Sequence, residues 1–286
     1  MGILTGKVAV VTGGSRGLGL GIARAYAAEG AAVVVASRSQ KSVDEAVKQL
    51  QAPGAKAAGM AVDVADLAQV QALARHAVEQ FGRIDIWVNN AGTAGPYGPT
   101  LGFTPEAFYQ VVQTNITGTY NGSRTALHYF LKQKSGKLIN MLGAGHEKPL
   151  PYQNAYGSSK MWIQAFTLAL AGECKGQGVD VLAFNPGMVL TELLTDVEVI
   201  QGSEERLKIF PRIVRILAKP PENPAARAVW LASSASDGKN GMLLSNYSPL
   251  LFFTGAVREW LRPKKAGEDA ETVKMRVIPP ADDYTL

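Results

Sequence analysis

A tyrosine and a lysine four residues apart, Tyr156 and Lys160, form the pair in this sequence best suited to moving a proton. Residues at i and i+4 share one face of a helix, so the two side chains would point the same way. A phenol titrates near pH ~10, and a neighbouring ammonium group would lower that pKa. Tyr156 is therefore predicted to donate a proton to a carbonyl oxygen, or to accept one from an alcohol. A solvated helix face is the alternative.

The segment TGGSRGLG, residues 12–19, has the composition of a phosphate-binding loop. It lies between an apolar run and a helical segment. Its glycines allow tight turns and close approach of a ligand, and the N-terminus of the following helix offers free N–H groups. A plain tight turn is the alternative. The contacts predicted here for a dinucleotide are Gly13, Ser15, Arg16, Gly17, Leu18 and Gly19.

The end of the second apolar run indicates which dinucleotide would bind. A site that prefers NAD places an acidic residue there to hold the ribose hydroxyls. This chain has Ser37 and Arg38 instead. A guanidinium can bind a 2′-phosphate through two hydrogen bonds, and Arg16 would add a second cation. The predicted cofactor is therefore NADP(H), and an ordinary solvated arginine is the alternative for Arg38.

Alternating strands and helices must position these groups. Short β-branched runs alternate with longer helical segments, which is typical of an α/β fold. We predict a Rossmann-type, doubly wound parallel seven-stranded sheet with helices on both faces. One domain covers 1–245 and a C-terminal extension covers 246–286. Long helices are expected over 154–173 and over 104–133, the second with a break near Thr114. The predicted strands are 7–12, 32–37, 56–64, 84–90, 137–142, 179–185 and 241–245.

The composition argues against several classes of protein. Of 286 residues, 47% are hydrophobic and 19% charged, which is typical of a globular chain. The single cysteine, Cys174, cannot form an internal disulfide, and we find neither a signal peptide nor a membrane-spanning run, so a cytoplasmic location is expected. The net charge of +5 comes without a basic, aromatic-rich run in the first 240 residues, which argues against nucleic acid. Three scattered histidines argue against a metal site.

Six motifs occur in the order and spacing of the short-chain dehydrogenase/reductase family, which the chain resembles over about residues 5–245. The motifs are TGGSRGLG, VDV (62–64), NNAG (89–92), TNITG (114–118), YGSSK (156–160) and NPGMVLT (185–191). The resemblance implies that Tyr156 and Lys160 are the catalytic pair, that Lys160 also binds the nicotinamide ribose, and that Asn115 belongs to a proton relay. It also implies cofactor contacts at Asp63, Val64, Asn90, Ala91, Gly92, Pro186, Gly187, Val189 and Thr191. Family members usually form dimers or tetramers through the helices near 104–133 and 154–173.

The family pattern has a serine thirteen residues before the tyrosine, and this chain has Gly143 there. That serine would hydrogen-bond the substrate oxygen, and loss of one such donor elsewhere costs about 10²–10³ in rate. Three replacements are open: the side chain of His146, a backbone N–H at Gly143 or Ala144, or a polar group of the substrate itself. A solvated loop position is the alternative for His146.

Further stretches resemble the chlorophyll b reductase branch of the family. These are NMLGAGHEKPLPYQNAYG, PGMVLTELL, AKPPENPA and the later SPLLFFTGAVREW. Members of that branch reduce a formyl group on a chlorin ring to a hydroxymethyl group. A relative acting on another bulky carbonyl would look the same.

Residues 191–221 are expected to cover the active site as a lid, because they follow the sixth strand at its carboxyl end. The segment is apolar, which suits a large hydrophobic substrate, and Leu193 and Leu194 are candidate contacts. The alternative is a helix pair packed on the core.

The tail carries apolar residues followed by a basic cluster with a local charge of +3, four positive charges minus one. The cluster is Arg258, Arg262, Lys264 and Lys265 against Glu259. It could lie on an anionic membrane surface, pack on a neighbouring subunit or close the substrate pocket, and packing is favoured.

Together these features predict an NADPH-dependent oxidoreductase that reduces a carbonyl, or oxidises the alcohol, of a bulky hydrophobic substrate. Reduction of a chlorin formyl group is the narrower version. The alternatives, motivated by Gly143, are an NADP-binding protein with little turnover, acting as a sensor or assembly partner, and a redox-neutral isomerase or cyclase.

Overall fold

The buried β-branched runs of the sequence form the strands. The computed structural model describes residues 2–247, 249–262 and 272–281. Its strands are β1 (Val8–Thr12), β2 (Ala32–Ser37), β3 (Ala57–Ala61), β4 (Ile86–Asn89), β5 (Gly136–Met141), β6 (Val179–Asn185), β7 (Asp196–Ile200), β8 (Leu243–Ser245) and β9 (Lys274–Ile278). Seven of them form a parallel sheet in the order β3-β2-β1-β4-β5-β6-β8. The predicted doubly wound, seven-stranded Rossmann-type fold is confirmed.

Helices cover both faces of this sheet. They are α1 (Gly17–Ala28), α2 (Gln40–Gln51), α3 (Leu67–Phe81), α4 (Pro105–Val111), α5 (Gly118–Gln133), α6 (Asn154–Glu173), α7 (Glu192–Thr195), α8 (Phe210–Leu217), α9 (Glu222–Ala232) and α10 (Pro249–Leu261). Short 3₁₀ turns lie at Thr100–Gly102, Glu204–Leu207 and Ser234–Ser236. No helix in the described ranges combines the length and hydropathy needed to cross a membrane.

Successive residues of each strand face opposite sides of the sheet and enter two different cores. Val11 and Val35 pack with α1, α2 and α9 on one face. Val10 and Val34 pack with α3, α5 and α6 on the other. All four side chains are fully buried, which explains why the strands read as continuous apolar runs.

The helical region from Pro105 to Gln133 is interrupted where the sequence predicted a break. Residues Val112–Thr117 form a π-helical turn between α4 and α5. Such turns occur frequently at functional sites. This turn carries Asn115, which is completely buried.

The segment expected as a lid contains a strand as well as helices, so the helix-pair alternative is wrong. Strand β7, within the segment, pairs in parallel with β9 from the tail, from Asp196 opposite Lys274 to Ile200 opposite Ile278. This two-stranded sheet was not predicted, since five-residue strands separated by more than seventy residues give no local signal.

The tail helix α10 packs against α8 of the lid. A Cβ atom at Gly255 would lie 2.1 Å from the Ile216 carbonyl oxygen, so the two backbones are in close contact there. Arg215 Nε donates to Glu259 Oε1 at 2.8 Å, and both side chains are largely buried. The tail therefore packs on the lid of its own chain, and its packing on a neighbouring subunit stays a prediction. Lys264 and Lys265 of the predicted basic cluster lie outside the described residues.

Candidate active site

The carboxyl ends of the parallel strands bring the predicted site residues to one edge of the sheet. The glycine-rich loop follows β1, NNAG spans the end of β4, Gly143 follows β5, and the segment that begins at Pro186 follows β6. Ligands of doubly wound folds bind at this edge, where the strand order reverses. Here the reversal lies between β1 and β4, next to the glycine-rich loop.

The glycine-rich loop needs its glycines. Gly13 and Gly17 adopt left-handed φ angles of 62° and 53°. A Cβ atom at Gly13 would lie 2.9 Å from Ala91 Cα, and one at Gly19 would lie 2.2 Å from the Gly13 carbonyl oxygen. No side chain caps the N-terminus of α1, so its first N–H groups are available to an anion. The cradle fits the pyrophosphate of a dinucleotide.

Asn90 and Ala91 connect this loop to the end of β4. The Asn90 side-chain amide donates to the carbonyl oxygens of Thr12 at 2.9 Å and Gly13 at 3.2 Å. The backbone N–H groups of Asn90 and Ala91 donate to the Thr12 hydroxyl at 3.1 and 3.2 Å. Asn90 therefore holds the shape of the loop, a role that the sequence analysis did not assign to it.

The predicted adenine end of the site lies beyond β2 and β3, which are neighbours. Val62 N donates to the Ser37 carbonyl at 2.9 Å, so the segments carrying Arg38 and Asp63 emerge side by side. Asp63 Oδ1 accepts from Ala65 N at 2.9 Å, and Asn121 Nδ2 donates to the Val64 carbonyl at 2.9 Å. Arg38 is exposed and has no hydrogen-bonding or ionic partner among the described residues.

Arg16 is placed differently from the sequence expectation. Its guanidinium forms an ion pair with Glu192, the first residue of α7 in the lid. The side chain of Thr191 lies 3.1 Å from the position of a Cβ atom at Gly17. Arg16 and Thr191 therefore join the glycine-rich loop to the lid, and a contact of Arg16 with a 2′-phosphate stays a prediction.

The segment after β6 turns sharply at Gly187, whose φ is 77°. Asn185 Oδ1 accepts from Gly187 N at 3.1 Å and stabilises the turn after Pro186. Val189 then forms a bridge with Lys219, which ties the two ends of the lid together. The predicted nicotinamide-side residues are therefore held in one rigid loop.

Tyr156 and Lys160 project from α6 toward the end of β5. The Lys160 ammonium lies 5.5 Å from the centre of the Tyr156 ring and donates to the Met141 carbonyl at 3.1 Å. Burial lowers the pKa of Lys160 to about 8. The sequence predicted that the ammonium of Lys160 lowers the pKa of Tyr156, and for the chain without a cofactor this prediction is wrong. Burial raises that pKa above its usual value, and the neighbouring Tyr247 adds to the rise.

Asn115 fixes α6 against the loop after β4. Its Oδ1 accepts from Thr93 N at 2.9 Å, and its Nδ2 donates to the Thr93 carbonyl at 2.9 Å and to Ser159 Oγ at 3.0 Å. Ser159 Oγ donates in turn to the Tyr156 carbonyl at 2.7 Å. The side chain is a support for α6, and its part in proton transfer stays a prediction.

Gly143 lies directly against the Tyr156 hydroxyl. A Cβ atom there would lie 2.2 Å from Tyr156 Oη and 3.1 Å from Cζ, so no side chain fits at residue 143 without moving the phenol. The ring of His146 folds back to bond the Gly143 carbonyl through Nδ1 at 2.9 Å. Its side chain is only 11% exposed, which overturns the alternative of a solvated loop residue.

The two lid leucines have different environments. Leu193 is 49% exposed, whereas Leu194 packs into a small core formed with Val214 and Val273. Leu194 therefore joins the lid to the tail, and Leu193 is the one free to meet a ligand.

The structure adds residues to this edge that the sequence analysis did not name as site residues. Ser159 lies inside the quoted YGSSK motif, and its hydroxyl bridges Asn115 and the Tyr156 carbonyl. Asn246 and Tyr247 follow β8, the strand beside β6. Their position directly after a predicted strand was the available signal, because residues after parallel strands meet at one edge.

Comparison with known proteins agrees with this geometry. Residues 7–199 match the family model described as short chain dehydrogenase. Glucose 1-dehydrogenase 2 of Bacillus subtilis is 34% identical over 243 residues, 84% of this chain and 93% of its own length. The probable chlorophyll(ide) b reductase NYC1 of Arabidopsis thaliana is 34% identical over 272 residues, which cover 88% of this chain and 53% of that protein.

Solved structures point the same way. The 3-ketoacyl-(acyl-carrier-protein) reductase from Brucella melitensis, complexed with NADH, superposes with a TM-score of 0.75 at 28% identity, over 85% of this chain and 97% of its own. Motifs, sheet order, site geometry and relatives agree that this chain is an oxidoreductase of the short-chain dehydrogenase/reductase family.

Proposed function

We propose that the protein is an NADPH-dependent reductase of a carbonyl group on a bulky hydrophobic substrate. The observation that carries the proposal is the Tyr156–Lys160 pair, with Lys160 buried and Tyr156 partly buried, at the sheet edge that also holds the glycine-rich loop. A phenol whose pKa is raised by burial is protonated at neutral pH. It can then give its proton to a carbonyl oxygen as hydride arrives.

The cofactor, when bound, supplies the hydride for this reduction. The N-terminus of α1 would hold its pyrophosphate, Asp63 its adenine, and Lys160 its nicotinamide ribose. Arg38 would bind the 2′-phosphate, since its guanidinium is exposed at the end of β2 and no carboxylate stands at Ser37 to repel a phosphate. Arg16 would contribute less, because the carboxylate of its exposed partner Glu192 would repel a phosphate.

The lid supports an apolar substrate. Leu193 and Ile209 are 49% and 66% exposed, and Leu190, just before the lid, is 43% exposed, which leaves apolar surface for a ligand. Similarity to a chlorophyll(ide) b reductase makes a chlorin formyl group the narrower candidate. The bulk of such a ring would suit the lid's apolar surface.

The first test is oxidation of NADPH with a panel of bulky aldehydes and ketones, chlorophyll b and its phytol-free form included. Wild-type protein should consume NADPH in proportion to alcohol formed, and the Tyr156→Phe variant should lose at least ~10²-fold in kcat. Tight NADPH binding without oxidation on any substrate would reject the reductase. It would favour a binding protein or a redox-neutral catalyst, the alternatives that Gly143 motivates.

The cofactor preference is tested with two arginine variants. Arg38→Ala should raise the KM for NADPH about tenfold or more and leave that for NADH unchanged. Arg16→Ala is the matched control, and it should alter both values alike because Arg16 pairs with the lid residue Glu192. Equal effects of the two variants on NADPH would remove Arg38 as the phosphate ligand.

A further inference from the structure

The site lacks the serine hydroxyl that the family pattern places thirteen residues before the tyrosine, because Gly143 stands there. Negative charge grows on the substrate oxygen in the transition state, and a second donor beside Tyr156 would stabilise it. A side chain at residue 143 cannot supply this donor, because a Cβ atom there would lie 2.2 Å from Tyr156 Oη. A glycine at this position keeps room for the phenol, so a side-chain donor must come from another element.

The other polar side chains beside Tyr156 are already engaged. His146 Nδ1 bonds the Gly143 carbonyl at 2.9 Å. Ser159 Oγ donates to the Tyr156 carbonyl at 2.7 Å and accepts from Asn115. Each would have to give up a bond of the scaffold in order to reach a substrate.

Tyr247 reaches the same edge from the next strand. Strand β6 pairs with β5 on one side and β8 on the other, so Gly143, Pro186 and Tyr247 follow three adjacent strand ends. Asn246 N donates to the Asn185 carbonyl at 3.0 Å, and Asn246 Nδ2 donates to the Pro186 carbonyl at 3.3 Å. These bonds tie the backbone before Tyr247 to the loop on the predicted nicotinamide side.

Tyr247 has the exposure of a group that meets a ligand. It is 46% exposed, and its hydroxyl has no hydrogen-bond partner among the described residues. Ionisation of Tyr247 would raise the pKa of Tyr156 by like-charge repulsion, which places the two phenols within electrostatic reach. Partial burial raises the pKa of Tyr247 itself and keeps it protonated, as a donor must be.

We propose that the Tyr247 hydroxyl is the second hydrogen-bond donor to the substrate oxygen, in place of the hydroxyl missing at Gly143. This role rests on the reductase function proposed above. As the carbon–oxygen π bond breaks, the carbonyl carbon gains hydride from the reduced nicotinamide and the oxygen gains the proton of Tyr156. Tyr247 stabilises the growing negative charge and keeps its own proton.

The kinetic test compares Tyr247→Phe with Tyr120→Phe, a control on α5 that is 45% exposed and outside the site. Tyr247→Phe should lower kcat by about 10–10³-fold while the KM for NADPH stays unchanged. Tyr120→Phe should behave as wild type. A Tyr247→Phe enzyme that keeps kcat within about twofold overturns the donor role and leaves the reductase function standing.

A spectroscopic test reads the hydrogen bond without turnover. The carbonyl stretch of 2-naphthaldehyde is recorded by infrared difference in complex with the protein and NADP⁺, which cannot give hydride. Each donor to the carbonyl oxygen lowers this frequency, so Tyr247→Phe should shift the band toward that of free aldehyde. An unchanged band overturns the proposal even if kcat falls, because the kinetic loss is then structural.

The two tests separate the donor from the reductase. If the wild type binds the aldehyde but reduces no carbonyl, the proposed function fails, and the band alone decides the role of Tyr247. If the wild type shows no infrared band of bound aldehyde, both the reductase function and the donor role of Tyr247 fail.

Discussion

Residue 143 shows how one backbone position constrains the side chain of Tyr156. The Tyr156 hydroxyl fills the space into which any Cβ at residue 143 would project. The hydroxyl cannot retreat easily, since Tyr156 is held by α6, and α6 is tied to the π-helical turn through Ser159 and Asn115. Glycine at 143 is therefore part of the same arrangement as Tyr156 rather than an isolated loss.

We predict that Gly143→Ser lowers activity instead of restoring a missing donor. The new Cβ forces Tyr156 Oη to move, so kcat should fall about tenfold or more while NADPH binding persists. Ala144→Ser is the control, because that neighbouring residue is exposed and has room for a hydroxyl. Steady-state kinetics of the two variants decide the matter, and an active Gly143→Ser enzyme would show that Tyr156 moves freely.

Lys160 gives a prediction for stability. Its folded pKa is about 8 against an ordinary 10.5, so between these pH values the unfolded chain binds more protons at this group than the folded chain. Stability must then rise with pH across that window. Below pH ~8 the cost of the buried ammonium is fully present, and above pH ~10.5 it is gone.

Relative to Lys160→Met, the cofactor-free wild type should gain up to about 3 kcal/mol between pH ~8 and ~10.5. Urea unfolding of both proteins at several pH values measures this difference. Lys175→Met, at an exposed lysine, is the control and should show a difference that does not change with pH. A constant difference for Lys160→Met would mean that this ammonium is well solvated.

At the scale of elements, the lid is held by the tail. Strand β7 pairs with β9, α8 packs on α10, and the largely buried Arg215–Glu259 ion pair joins the two helices. Glu259 also pairs with Arg262 at 3.3 Å. Residues far apart in sequence therefore fix the segment that is expected to cover the active site.

We predict that Glu259→Gln loosens the lid without unfolding the main sheet. Loss of a charge-assisted hydrogen bond at a largely buried site should cost about 1–3 kcal/mol in local stability. Hydrogen exchange should therefore quicken about tenfold in α8 and α10, and stay unchanged in β1 and β4. Glu198→Gln is the control, because Glu198 and its partner Arg276 are both exposed. Equal exchange in the two variants would contradict a tail-held lid.

At the scale of the whole molecule, the surface of α4, α5 and α6 suits contact with another copy of the chain. Large apolar residues are exposed there: Phe108, Tyr109, Tyr120, Leu131 and Leu168, at 39–60%. Exposed apolar patches of this kind commonly mark protein interfaces. They lie on the helices that the family resemblance assigns to subunit contacts.

We predict a homodimer or homotetramer that Leu168→Glu shifts toward smaller species. A charge in an apolar interface is costly, whereas Leu101→Glu, on a 71%-exposed residue outside these helices, should change nothing. Sedimentation velocity of the three proteins measures the change. A monomeric wild type would contradict the prediction at once.

The sequence predicted three features of the fold: the order of strands and helices, the break near Thr114 and the position of the motifs at one edge of the sheet. Strand and helix periodicity are local, and parallel strands place their carboxyl ends together. The sequence did not predict three contacts: the pairing of β7 with β9, the ion pair of Arg16 with Glu192 and the contact of Gly143 with Tyr156 Oη.

Each of these contacts joins segments whose separation is fixed only when the whole chain packs. The same holds for the pKa of Tyr156, because burial outweighs the neighbouring ammonium and the degree of burial depends on every element around the phenol. The sequence by itself determined the family and the fold, and it singled out the Tyr156–Lys160 pair, since short motifs and periodicity carry them. Only the tertiary structure decided that Gly143 lies against the Tyr156 hydroxyl and that the tail packs on the lid.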